Sequence, residues 1–227
     1  MPPTACFFSS SSLAGSDPHT LPPRLPLHGS QPAQNFWIAP GGGVDADAAS
    51  ARNRADPLGT PFAAVFLSFP SAKDPTWPGR HPGKSTAHIV AEAPWELFET
   101  WAGERIKHRG AEYEALKTAL AQKLLDAMLR LYPHLADRVA FTELGTPLSS
   151  AYYLGSARGE SYGLAHTPAR YRQEWLRPTT ALPGLYLTGQ DIVSAGVVGA
   201  LIAGCLSAVA VAPLRVGAQN LGTLARM

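Results

Sequence analysis

The spacing of apolar positions changes several times along this chain, and each change marks an element. Phe36–Ala39 is a short apolar run closed by Pro40 and three glycines, and order is expected to begin near Asn35. Phe62–Phe69 is almost continuously aromatic or aliphatic and stops at Pro70, which predicts a strand. Thr86–Glu92, ended by Pro94, predicts a second strand and Val139–Leu144 a third. Ser71–Gly83, with three prolines, reads as a loop, and Trp95–Trp101 suits one or two helical turns. Over Gly110–Leu131 the pattern becomes helical. Tyr113, Leu116, Leu120, Leu124, Ala127 and Leu131 fall on one face, Glu112, Glu114, Lys117 and Lys123 lie mostly off it, and Pro133 stops the helix. Tyr152–Leu154 is too short to assign.

The last third has a different character. Leu185–Thr188 reads as a short buried strand that delivers Gly189, and Ile192–Leu214 follows Asp191 without a charged residue. A charge-free run of that length is a membrane-span candidate. Its glycines and alanines make it only moderately apolar, Pro213 truncates it, and a helix starting at Ser194 or Gly196 is short. A buried strand–turn–helix unit accounts for it better. Gly196, Ala200 and Gly204 form a smooth helical face that another backbone or a flat ligand can approach closely.

Composition narrows the possibilities. Nineteen Lys and Arg against 17 Asp and Glu give a net charge of +2, with no concentrated basic face for nucleic acid. Two distant cysteines, Cys6 and Cys205, argue against a disulfide framework or a zinc site, and no metal is expected. Residues 1–34 hold four successive serines, Ser9–Ser12, and seven prolines, so a disordered leader is expected. The leader is Ser-rich and acid-poor, as transit peptides are, but carries only Arg24 as a fixed positive charge. Gly41-Gly42-Gly43-Val44-Asp45-Ala46 has the spacing of a dinucleotide fingerprint. Pro40 stands where a strand should run in, and Asp45 and Asp47 would repel a pyrophosphate, so a flexible loop leading to a short helix at Asp45–Arg54 is the better reading. Lys84-Ser85-Thr86 after Gly83 lacks the earlier glycine of a phosphate loop, and His108 and His134 lack partners at ligand spacing.

Two constellations carry candidate chemistry. In the first, Asp191 can accept hydrogen bonds from a ligand hydroxyl, and the helix starting near Ser194–Val197 presents unpaired N–H groups and its positive dipole end. A plain strand–turn–helix with Asp191 as a helix cap is the competing reading. The second is Tyr152–His166, where Tyr152, Tyr153, Arg158, Glu160, Tyr162 and His166 cluster around Gly155, Gly159 and Gly163. Tyrosines offer flat apolar walls with polar tips. A glycine-rich hairpin with an Arg158–Glu160 surface pair is the alternative.

The residues also resemble a known family. Gly184-Leu185-Tyr186-Leu187-Thr188-Gly189-Gln190-Asp191, followed by Gly196-Val197-Val198-Gly199-Ala200, looks like the C-terminal flavin-contact motif of the FAD-dependent retinol saturase, carotenoid isomerase and phytoene desaturase family. Phe69–Trp77, Pro82–Thr86, Glu92-Ala93-Pro94, Tyr113–Lys117, Gly145–Leu148, Tyr153–Ser156 and Arg158–Pro168 extend the likeness over roughly residues 60–212. It differs from the family's usual glycine-proline turn, because Ser194-Ala195 stands there.

The resemblance implies an α/β fold with α+β character, the C-terminal portion of a two-domain FAD-dependent oxidoreductase with a mixed sheet, covering helices and the N-terminal Rossmann βαβ missing. Residues 35–180 would be the substrate side, 181–213 the strand and helix of the FAD domain, and 214–227 a tail. Gly189, Asp191, Val197 and Val198 would contact FAD. Tyr152, Tyr153, Arg158 and Tyr162 would face an apolar polyene, and His166 or Tyr162 would donate a proton. NAD(P)H is an expected electron source. Retinol saturation is the best single reaction, at an endoplasmic reticulum membrane or in a plastid. Peripheral membrane association and a complementing N-terminal chain would fit, and the chain alone would be inactive. A non-catalytic remnant that binds an apolar ligand or partner, and a small membrane-anchored protein, are the rival readings.

Overall fold

A computed structural model describes residues 5–14, 32–39 and 45–212, with backbone alone for the first stretch. The chain divides into two compact units, one running to Glu160 and one beginning at Ser161. Helix and sheet are both present, as expected for the class. The first unit is built on five strands in the order β2-β3-β4-β1-β5. These are β1 (Ala5–Ala14), β2 (Phe36–Ile38), β3 (Val65–Ser68), β4 (Lys84–Ala93) and β5 (Val139–Gly145). All four pairings are antiparallel rather than mixed, so the α+β side of the expectation holds.

Burial alternates along β4, where Ser85, Ala87, Ile89, Ala91 and Ala93 turn inward. Helix α3 (Gly110–Leu131) packs Leu120, Leu124 and Met128 into that core with Leu67, Phe69 and Phe98. Its boundaries are those the sequence predicts. The buried stripe differs at its end, where Met128 is buried and Leu131 is exposed. Helix α1 (Ala46–Ala55) begins at the expected place, with the Asp45 carboxylate accepting from the Asp47 N–H. A carboxylate thus caps the helix end that a dinucleotide fingerprint would offer to phosphate. Pro40 to Val44 lie outside the described residues, as does the tail from Pro213. Arg54 and Ser50 of α1 bind Glu92 and tie the helix to β4. A four-residue helix α2 (Trp77–Arg80) interrupts the loop after β3.

Two sequence expectations change. Ala5–Ala14, assigned to the disordered leader, forms β1, paired with β4 on one side and β5 on the other. The prolines of the leader hid this, because Thr4–Asp17 contains none and so keeps every backbone donor a ladder needs. The rest of the leader lies outside the described residues. The segment Leu185–Thr188 is the second change. It makes only an isolated antiparallel bridge, Thr179↔Tyr186, with Leu187 N donating to Pro178 O at 2.9 Å. An apolar run becomes a strand only where a neighbouring strand takes up its backbone groups, and one bridge is what the described residues supply.

Candidate functional site

The second unit carries the first predicted constellation together with Tyr162 and His166 of the second, built around a residue the sequence reading passed over. Helix α5 (Pro168–Tyr171) starts with a Thr167 side-chain cap and places Arg170, which is 7% exposed, at its end. The Arg170 guanidinium donates to Leu164 O, Gln190 O and Asp191 O, each at 2.9 Å. It also meets His166 Nε2 at 2.9 Å. Arginine has only donors, so this nitrogen accepts and the proton of the neutral ring sits on Nδ1.

Asp191 ties the same segments together from the other side. Its Oδ1 accepts from Leu164 N at 2.9 Å. Gly163, at φ +65°, passes so close that a Cβ there would stand 2.1 Å from that oxygen. Asp191 is therefore a clasp on the Gly163 turn, and it does not cap the following helix. That helix, α6 (Gly196–Val211), has Ala195 as its N-cap without a side-chain bond, and the Gln190 side chain takes the Gly196 N–H at 2.9 Å. Gly189 and Gly196, at φ +90° and +89°, are the two left-handed hinges of the turn. Ala195 has φ −61° and ψ 149°, a conformation in which proline is at home, so the departure from glycine-proline leaves this position proline-like.

With Gly196 satisfied, Val197 and Val198 remain as first-turn N–H groups without a bond among the described residues. Their side chains are 86% and 68% exposed. The helix is held to the preceding segment by Ser207, whose hydroxyl donates to Leu187 O at 2.9 Å. Tyr162 is exposed at the edge of the turn.

The other predicted residues lie in the first unit. Helix α4 (Pro147–Leu154) begins with a Thr146–Ser149 capping box and ends at Gly155, φ +68°. Near its end Tyr152 and Tyr153 stand exposed, ring centroids 4.9 Å apart and perpendicular. Arg158 pairs with Glu96 at 2.6 Å rather than with Glu160. The Glu160 carboxylate instead accepts from the backbone N–H groups of Ala157 and Arg158, at 3.0 and 2.8 Å. Partial burial pushes this carboxyl up, but the N–H groups of Arg158, Glu160 and Ala157 together hold it below its ordinary value. A depressed folded pKa gives stabilisation that is complete above the ordinary carboxylate range and lost as pH falls through the folded value. The protection of the Arg158 amide, measured relative to the intrinsic exchange rate at each pH, is therefore expected to fall on acidification, with a profile that Glu160→Gln flattens.

Gln190 and Arg170 were missed because each works through backbone oxygens or N–H groups that only the folded turn brings together. The Thr-Pro at 167–168 was the available signal, since it starts the helix that carries Arg170.

No protein-family model matches the chain. Curated proteins do. It is 37% identical over 175 residues to "All-trans-retinol 13,14-reductase" of Danio rerio, covering 74% of this chain and 28% of that protein. The protein of the same name from Homo sapiens is 41% identical over 140 residues, 60% of this chain and 23% of its own length. A chloroplastic prolycopene isomerase from an Oncidium hybrid cultivar is 30% identical over 157 residues, covering 66% of this chain and 24% of that protein. Another Danio rerio relative bears the name "Inactive all-trans-retinol 13,14-reductase". The chain is thus a homologue of retinoid and carotenoid enzymes. Specifically, it is homologous to proteins named all-trans-retinol 13,14-reductase and, more distantly, to prolycopene isomerases. It spans about a quarter of the length of the curated relatives it matches.

Proposed function

We propose that this chain supplies the flavin-facing turn and part of the substrate side of an FAD-dependent oxidoreductase that acts on a carbon–carbon double bond of a retinoid or carotenoid, with saturation of retinol as the reaction. The observation that carries this is the pair of free N–H groups at Val197 and Val198, on a turn fixed by Arg170 and Asp191. The residues fit the group. Val197 and Val198 offer two donors and a helix dipole to a ring carbonyl, and Asp191 keeps Oδ2 for a ligand hydroxyl while Oδ1 holds the turn.

FAD, when bound, would supply hydride, and the N–H groups of Val197 and Val198 at the start of α6 would stabilise the negative charge that the ring gains. The backbone of Gly189 gives close approach. His166, through Nδ1, or Tyr162 gives the proton that accompanies hydride transfer to a polyene. Tyr152, Tyr153 and Arg158 line the polyene's path in the first unit. A complementing N-terminal strand–glycine-loop–helix would hold the ADP half. NAD(P)H serves as the source of electrons. The work takes place at an endoplasmic reticulum or plastid membrane, with peripheral contact. Among the described residues no helix is long and apolar enough to cross a membrane.

The relative named inactive favours a second reading, a non-catalytic homologue that binds an apolar ligand or a partner. The discriminating experiment grafts Gly184–Gly204 of this chain into the Danio rerio reductase, with and without Val198→Pro. Proline in the first helical turn removes one N–H without costing an intrahelical hydrogen bond, and circular dichroism of the graft checks that the helix persists. The graft is expected to keep stoichiometric flavin and to reduce retinol, and Val198→Pro to weaken flavin retention at least tenfold. A folded graft without flavin would sink the flavin-facing assignment. A graft that keeps flavin but loses retinol reduction would favour the non-catalytic reading.

A further inference from the structure

We infer that Arg170 is a positioning residue that turns His166 into a binding group for the oxygen of an oxygenated polyene, a retinoid alcohol or aldehyde, and not into the source of the reaction's proton. The inference rests on the oxidoreductase reading above and narrows its substrate. It begins with a lone pair. A neutral imidazole has one N–H and one bare nitrogen. Arg170 takes the bare one, Nε2, at 2.9 Å. The same guanidinium is buried and anchored on Leu164 O, Gln190 O and Asp191 O, so it is not free to turn away from the ring. His166 itself is exposed, and its Nδ1–H has no partner among the described residues. The ring therefore offers one donor outward and no acceptor.

That inventory decides which chemistry suits the ring. A histidine gives up a proton as an acid from its doubly protonated form, and that form needs a hydrogen on Nε2, where an Arg170 N–H already points. A neutral ring that gave up Nδ1–H would be left an anion. A neutral imidazole N–H instead binds and polarises an oxygen. The ligand must then bring an acceptor, a hydroxyl or carbonyl oxygen, which a hydrocarbon carotene lacks. In all-trans-retinol the hydroxyl sits on the carbon next to the 13,14 double bond, so a donor to that oxygen and a proton source for that bond belong on one turn. Tyr162, left as the proton source, lies on the turn that Arg170 and Asp191 secure. Exposed apolar surface for the polyene stands beside the ring, at Leu164 and at Tyr171, whose ring centroid is 6.3 Å from that of His166.

Two measurements on the full chain test this, and neither involves flavin, so their failure is separate from failure of the flavin-facing assignment, which the graft decides. The first is NMR of the ring nitrogens in isotope-labelled histidine. The His166 signal, identified by its loss in His166→Asn, is expected to show the Nδ1–H form, and Arg170→Ala is expected to move it toward the Nε2–H form. The second is titration with all-trans-retinol in detergent micelles, against the hydrocarbon in which hydrogen replaces the hydroxyl. Retinol is expected to shift the Nδ1 signal saturably and to bind at least tenfold more tightly than the hydrocarbon. His166→Asn, whose carboxamide puts an N–H near the place of Nδ1, should keep retinol affinity within threefold, and His166→Phe should lose at least tenfold. An Nε2–H ring in the parent chain, absence of retinol binding, equal affinity for the hydrocarbon, or parental affinity in His166→Phe overturns the inference.

Discussion

Replacing Arg170 by alanine is expected to loosen the whole turn from Tyr162 to Gly196 while leaving the β-sheet unit intact. Three backbone carbonyls and a histidine nitrogen lose their donor at once. A hydrogen bond from a charged donor contributes about 1.5–3 kcal/mol, and acceptors left unpaired add a penalty, so a local cost of about 3–5 kcal/mol follows even after water repairs some of them. The measurement is amide exchange together with limited proteolysis. New cleavage sites should appear between residues 160 and 195, and exchange in α3 should stay unchanged. Arg170→Lys should not rescue, since one ammonium cannot span acceptors on both Leu164 and Asp191. Unchanged protection at Leu164 in Arg170→Ala would show that the clasp does not hold the turn.

A second large effect is expected at Gly199. The first turn of α6 folds back so tightly on the preceding loop that a Cβ at this position would lie 1.8 Å from Ser194 O. The obstructing atom is backbone and cannot swing aside, so Gly199→Ala must displace either the loop or the helix, at about 2–3 kcal/mol. Gly204 provides the control five residues on, because a Cβ there meets nothing within 4 Å. Gly204→Ala is expected to stabilise the helix by about 0.5–1 kcal/mol through propensity alone. Opposite shifts in Tm from the same chemical change in one helix are the signature to look for. A Gly199→Ala protein as stable as the parent would mean that the turn at Ser194 is not packed as described.

These expectations indicate which parts of the molecule were legible in the sequence. Helix α3 was readable to the residue, because a long amphipathic period bounded by Gly110 and Pro133 depends on local pattern and little else. Strands β3, β4 and β5 were readable for the same reason, give or take their ends. Helix α4 was left unassigned. Its start depends on the Thr146–Ser149 exchange of side-chain bonds, and its pattern covers only eight residues. Strand β1 was illegible because its backbone does the pairing and its composition argues for a loop. In the candidate site, Gly189, Asp191, Val197 and Val198 were singled out from a motif, and they do lie on one turn with His166 and Tyr162 nearby. The mode of attachment was beyond reach. Nothing in spacing alone says that Asp191 grips the Gly163 turn or that Gln190, rather than the acid beside it, caps α6.

The partners Arg170 selects have a further consequence. Apart from His166, every hydrogen-bond acceptor of its guanidinium is a main-chain oxygen, at positions 164, 190 and 191. Such a clamp does not register which side chains those positions carry. The Leu164 side chain can be exchanged for a larger, smaller or more polar group while the frame keeps its shape, as long as Gly163 beside it stays a glycine. A scaffold of this kind lets homologous proteins vary what they accommodate without redesigning how the crossing of the two segments is secured.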